Sequence, residues 1–188
     1  MTADERRAAI VDSTLPVLLA QGPDLSTREI AAAAGVAEGT IFRVFDSKEE
    51  LITAVIDAAT RPTATLAALA ALEPQTLDQR TEAVLDILTH NVQRIRSLFS
   101  HLAKAGVQPH PPKGHHHDHR DGRAQVIAAT ATAFDDYADQ LTVPTETLAR
   151  LLSAMAFATS FDVGTSDTPP SPATLARLVL HGVAKGEK

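Results

Sequence analysis

Two matched helix starts constrain this chain more than anything else in it. Ser26 and Glu29 form one S-x-x-E pair, Ser47 and Glu50 form another, and Gly35 stands between them. In such a capping box the serine hydroxyl takes the amide of the third residue on, and the glutamate reaches back to the serine amide. Leu25 and Ile30 flank the first cap as a hydrophobic staple. Ile30, Ala31 and Ala34 then face a core, and Gly35 supplies the left-handed residue that ends the helix. Val36 plugs the turn. Glu38 to Phe45 fits a second short helix with Ile41 and Phe45 inward, broken by Asp46-Ser47. A helix this short adds little core, and its other residues, Glu38, Gly39, Thr40 and Arg43, are small or polar. That suits a helix laid in the major groove of DNA. A plain helical hairpin within a bundle satisfies the same spacing.

Composition narrows the rest. Alanine is frequent, aromatics make up 4% and tryptophan is absent, which favours closely packed helices over a β-sandwich. No alternating strand pattern appears, so the fold class is all-α. The absence of cysteine excludes disulfides, thiolate metal sites and cysteine nucleophiles. No apolar run reaches membrane-span length, and the charged start MTADERRAAIVD lacks a signal-peptide core, so a cytoplasmic location is expected. No serine elbow, phosphate loop or paired catalytic carboxylates appear, so an enzyme is not expected. The net charge is -6, and residues 1–50 hold five cations (Arg6, Arg7, Arg28, Arg43, Lys48) against nine carboxylates. A nonspecific nucleic-acid coat is thereby disfavoured; DNA contact must come from a few placed groups and helix N-termini.

Along the chain, Asp4 to Gln21 reads as a first helix with Ala9, Ile10, Ser13, Val17 and Leu18 on one stripe, kinked or split at Pro16. The helix from Lys48 to about Leu72 carries Leu51 and Val55 and should kink or restart near Arg61 because of Pro62. After Gln75, Leu77, Val84, Leu85, Leu88 and Val92 recur at helical spacing, and Ile95 to Leu102 continue it, as the same helix or a separate one. Residues 107–122, VQPHPPKGHHHDHRDG, read as a loop. Helices are then expected over Arg123–Leu141, from Pro144 through Phe161, and from Pro172 after a Ser171 cap.

The stretch from Thr27 to Leu51, TREIAAAAGVAEGTIFRVFDSKEEL, also resembles the DNA-binding signature of the tetracycline-repressor (TetR) family of bacterial regulators. Thr27, Ile30-Ala31, Ala34-Gly35-Val36, Gly39-Thr40, Phe45, Ser47-Lys48-Glu49 and Leu51 fall in the family's register. The resemblance implies a protein of about nine helices: an N-terminal three-helix helix-turn-helix domain, residues 1–48, and a helical ligand-binding and dimerisation body, residues 49–188. It implies a homodimer on a double-stranded DNA operator, a small-molecule effector in the body and no membrane partner. Three positions depart from the family: Ala37 for a serine, Phe42 for a tyrosine and Val44 for a histidine. Two customary phosphate donors are thereby lost, which predicts modest affinity and a shallow salt dependence.

On this basis Thr27, Arg28, Ala37, Glu38, Gly39, Thr40, Phe42, Arg43 and Lys48 are the candidate DNA-binding residues. Arg43 is placed for bidentate guanine readout or for a phosphate, and Lys48 for a phosphate. Glu38 faces a polyanion and needs either a cytosine amine or plain solvent. Phe99, His101, Leu102, Phe134, Tyr137, Phe157 and Phe161 are candidate pocket residues, or simply core. Leu148, Leu152, Met155, Leu175, Leu178 and Val179 are candidate dimer contacts, or again core. His115 and His119, with Asp118, have the spacing for a metal, although a solvated polar loop accounts for them more simply and no cofactor is expected. The competing function is a helical metal- or ligand-binding protein whose DNA-binding half has weakened or been lost.

Overall fold

The computed structural model describes residues 2–21, 24–73, 76–104, 106, 116–160 and 170–182, with side chains left out at 116–120. Among these, nine α-helices and one 3-10 segment account for the regular structure: α1 Ala3–Gln21, α2 Thr27–Ala33, α3 Glu38–Val44, α4 Lys48–Thr60, α5 Thr63–Ala70, α6 Leu77–Lys104, α7 His116–Thr132, the 3-10 segment Asp135–Gln140, α8 Thr145–Ser160 and α9 Pro172–His181. The all-α expectation holds. The chain forms two compact units, Met1–Arg61 with Arg96–His117, and Pro62–Ile95 with Asp118–Lys188. This division differs from a boundary at residue 48, because α4 buries Leu51, Val55 and Ile56 in the first unit's own core.

In the first unit that core joins Ile10, Val11 and Leu18 of α1, the staple pair Leu25 and Ile30, Ile41 and Phe45, and Leu98 and Leu102 from the end of α6. The buried face of α1 is Ile10, Val11, Thr14 and Leu18. It is rotated from the expected stripe, and Ala9 lies exposed. Pro16 sits within α1 without ending it. The carbonyl it orphans belongs to Asp12, which is exposed and open to water. Thr2 and Glu5 form a further capping box, with the Thr2 amide donating to Glu5 Oε2 at 2.7 Å and the Glu5 amide donating to Thr2 Oγ1 at 3.1 Å.

In the second unit the core gathers Leu69, Val84, Leu85, Leu88, Phe134, Tyr137, Leu148, Leu152, Ala156, Leu175 and Ala176. The Pro62 restart occurs: Arg61 is extended at ψ 141° and α5 begins at Thr63. A split of α6 does not; it is one helix of 28 residues, and nothing in its sequence is a breaker. The loop expected over 107–122 is helical from His116 on, since its prolines all lie at or before Pro112. The helix expected up to Leu141 instead ends at Thr132 and gives way to the 3-10 segment. With three residues per turn, that segment sets i and i+3 on one side. It brings Phe134 and Tyr137 together edge to face, ring centroids 6.5 Å apart.

Candidate nucleic-acid interface

The turn between α2 and α3 is built as the sequence reads. The Glu29 amide donates to Ser26 Oγ at 3.2 Å, and the Ser26 amide donates to Glu29 Oε2 at 2.8 Å. The Ser26 hydroxyl, which donates to Glu29 Oε2 at 2.6 Å, and the Ser26 amide, with a smaller contribution from the Lys48 charge, hold the Glu29 carboxyl below the usual glutamate value. Gly35 takes φ 64°, the left-handed conformation that a side chain disfavours, and the Val36 amide closes on Ala31 O at 2.9 Å.

Helix α3 is fixed from below. Ile41 and Phe45 are 1% exposed, and Val44 packs against the same core, so the residue in place of a family histidine serves packing. Arg7 then clamps the end of α3. Its guanidinium lies 4.2 Å from the Phe45 ring centroid, donates to Val44 O at 3.0 Å and pairs with Glu50 Oε1 at 2.8 Å. Arg7 stands one turn before Val11 on the buried face of α1. A cation in line with an apolar stripe marks it in the sequence.

Ser47 caps α4, accepting from the Glu50 amide at 3.0 Å. The glutamate half of this second box differs from expectation: Glu50 Oε2 accepts from the Asp46 amide at 2.6 Å, because Arg7 draws the carboxylate back toward α3. The Asp46 amide and Arg7 depress the Glu50 pKa. A depressed carboxyl stabilises the fold above its unfolded value and ceases to as pH falls through the folded one. Acidification from about pH 5 downward should therefore erode the stability of wild type more than that of Glu50→Gln, as read from thermal unfolding midpoints. The pair is more than a third exposed, so the difference should be at most about 1 kcal/mol. Parallel pH profiles would refute the assignment.

The outward face of α3 carries Glu38, Gly39, Phe42 and Arg43, all exposed, with Thr40 half-buried at its edge. At positions i and i+4, Glu38 lines up with Phe42, and Gly39 with Arg43. Phe42 is 56% exposed, unusual for an aromatic that had the core side of the helix available. A Cβ at Gly39 would meet nothing within 4 Å, so nothing among the described residues requires a glycine there. What it provides is a flat approach for something outside. Ala37 caps α3 without a side-chain bond. Thr27 Oγ1 donates to Glu38 Oε1 at 2.5 Å, tying α2 to α3 across the turn. Arg28 is exposed and Lys48 half-buried at the start of α4. The nine candidate DNA-binding residues thus lie on α2, α3, the turn between them and the first residue of α4.

The candidate pocket residues do not assemble as a set. Phe99 and Leu102 pack in the first unit's core, while Phe134 and Tyr137 are core of the second. His101 is exposed, its Nδ1 2.7 Å from Ser97 O on its own helix, and Phe157 is 57% exposed. Phe161 and His115 lie outside the described residues, as does the side chain of His119; among the described residues no group of three or more His, Asp or Glu stands together to hold a metal. The second unit instead has an open groove of about 640 Å³ lined by Arg123, Ala124, Ile127, Ala128, Ala131, Glu146 and Arg150. Its apolar floor comes from α7 and its charged rim mainly from α8. Of the candidate dimer contacts, Leu148, Leu152 and Leu175 are core of the second unit, with Met155 and Val179 packed against it and Leu178 half-buried. The apolar residues that α8 leaves exposed are Leu151, Ala154, Phe157 and Ala158. Among the described residues no helix is long and apolar enough to cross a membrane.

Comparison with known proteins agrees with the motif and the fold. Residues 10–55 match the model of "Bacterial regulatory proteins, tetR family". An HTH-type transcriptional regulator of Pseudomonas putida, TtgW, is 39% identical over 61 residues, 32% of this chain and 46% of the relative, so the match spans about half of that protein. Among solved structures, GusR of Salmonella enterica superposes at TM-score 0.59 with 23% identity, covering 95% of this chain and 94% of its own. A TetR transcription regulator from Haloarcula marismortui superposes at 0.63 with 19% identity, covering 94% and 95%. These two carry the fold alone. The motif and the family match together make residues 10–55 similar to the DNA-binding segment of the tetR family of bacterial regulatory proteins.

Proposed function

We propose that the chain is a sequence-specific DNA-binding transcriptional regulator, a repressor that grips a palindromic operator as a homodimer and is released by a small molecule bound in its second unit. The observation that carries this is the outward face of α3. A helix of seven residues is pinned along its inner side by Ile41, Phe45 and Arg7, yet presents a glycine with open space beside it, an exposed aromatic and an exposed arginine. Such a face is useful only against an external surface, and a major groove accepts a helix of this size.

Arg43 reads a guanine edge and Lys48 meets a phosphate. Arg43→Ala should weaken binding to the preferred site by about 1–3 kcal/mol and relax its base preference, whereas Lys48→Ala should weaken all sequences alike. Gel shifts against the preferred site and scrambled DNA distinguish the two. Undiminished binding by Arg43→Ala would remove it from the readout.

The exposed row on α8 supports a homodimer. Leu151 and Phe157 are 47% and 57% exposed, and the alanines between them permit close approach of a second copy related by a two-fold axis. Effector release follows from differential affinity. A ligand that prefers a body conformation unsuited to DNA lowers operator affinity by its preference and no more. In the α7–α8 groove Arg150 pairs with Glu146 at 2.7 Å, and Arg123 beside the apolar floor suits an amphipathic ligand with an acidic end.

A further inference from the structure

Glu38 is out of place on a surface meant for a polyanion, and the structure shows how it is held there. It is exposed on the outer row of α3, in line with Phe42. Its Oε1 accepts the Thr27 hydroxyl at 2.5 Å. Thr27, a phosphate contact by family resemblance, thus has its only hydroxyl proton turned toward Glu38. The bond fixes the carboxylate in direction, while Oε2 and the further lone pairs of both oxygens stay able to accept.

We propose that the Thr27–Glu38 pair reads a cytosine in each half-site, with the carboxylate accepting from the N4 amine and Thr27 acting as a positioning residue. This rests on the DNA-binding role of α3 proposed above. A carboxylate needs a donor, and in the major groove only cytosine N4 and adenine N6 supply one. On adenine the N7 acceptor stands beside that donor and repels an anion. The cytosine edge presents the amine with a C–H beside it. Guanine and thymine offer acceptors at the corresponding positions. The negative charge therefore acts as a filter: it costs affinity on every sequence through phosphate repulsion, and least where a cytosine amine meets it. Phe42, next in the row and without a hydrogen-bonding group, takes no part in this readout.

The test is selection of bound duplexes from a randomised pool with the full-length protein, its Glu38→Gln variant and its Thr27→Val and Thr27→Ser variants. Wild type should select a cytosine at one position per half-site, and changing it to thymine should weaken binding roughly 5- to 150-fold. Glu38→Gln should move the preference at that position to adenine, whose N6 and N7 a glutamine amide pairs in bidentate fashion. Thr27→Val should blunt the cytosine preference with the fold intact by circular dichroism, and Thr27→Ser should restore it. If Glu38→Gln binds all duplexes more tightly with an unchanged consensus, Glu38 is only a repelling charge and the proposal is overturned. If wild type selects no sequence, the reading of α3 as a DNA-binding helix falls with it, and that result is distinct from a consensus lacking the cytosine.

Discussion

Replacing Leu151 and Phe157 together by glutamate should convert the protein into a folded monomer and lower its affinity for a palindromic operator by at least about 100-fold. Both side chains are substantially solvent-exposed on α8, so the charges meet water in the single chain and the second unit's core is untouched. In a dimer the same charges would be buried against their symmetry copies, unpaired and like-signed, at several kcal/mol. The loss on DNA follows because linking two half-site contacts raises avidity by roughly 10²–10⁴ over one contact alone. Light scattering reads the mass, circular dichroism the fold and gel shift the affinity. Leu152→Ala is the contrast. Leu152 is fully buried, so its truncation should cost about 2–5 kcal/mol of stability through the core of one chain. A double glutamate variant that stays dimeric would move the interface off α8.

Phe45→Ala should be the most damaging single change in the first unit, at about 3–5 kcal/mol. Phe45 is 1% exposed where α1, α3 and α4 meet, and its ring faces the Arg7 guanidinium at 4.2 Å. Removing it opens a cavity and takes away a cation–π contact worth about 0.5–2 kcal/mol. Arg7 keeps its bonds to Val44 O and Glu50 but loses the surface that orients it, so the end of α3 should loosen before the unit unfolds. Denaturant unfolding measures the cost, and amide exchange at Ile41 to Phe45 measures the loosening. A cost below about 1 kcal/mol would mean that α3 is held elsewhere.

Much of the candidate interface was legible because its signals are local. Ser26 with Glu29, the Leu25–Ile30 staple and a left-handed Gly35 act within a few residues, and all are present in the structure. Thr2 with Glu5 and Thr76 with Gln79 mark helix starts by the same chemistry and were equally readable. The misses involve competition between local preference and packing. Pro16 does not split α1, and the carbonyl it leaves without a partner belongs to the exposed Asp12. The histidine-rich stretch turns helical at His116 because no proline follows Pro112. Tyr137 and Phe134 read equally well as core or pocket, and Leu148 and Leu152 as core or dimer contact. Only packing around each shows which face of the helix points inward. Glu50 shows the same effect at one atom: its capping partner shifts from Ser47 to Asp46 because Arg7, distant in sequence, pulls on it.

On the reading proposed above, α3 presents a sequence-reading face to DNA despite an acidic surrounding half. The most direct measurement of this is selection of genomic DNA bound by the full-length protein, followed by sequencing. One palindrome should be enriched, its half-sites about one helical turn, roughly 34–36 Å, apart, with enrichment lost in Arg43→Ala. Uniform recovery of DNA, or none at low salt, would contradict it and favour a helical ligand-binding protein whose DNA-binding half no longer binds.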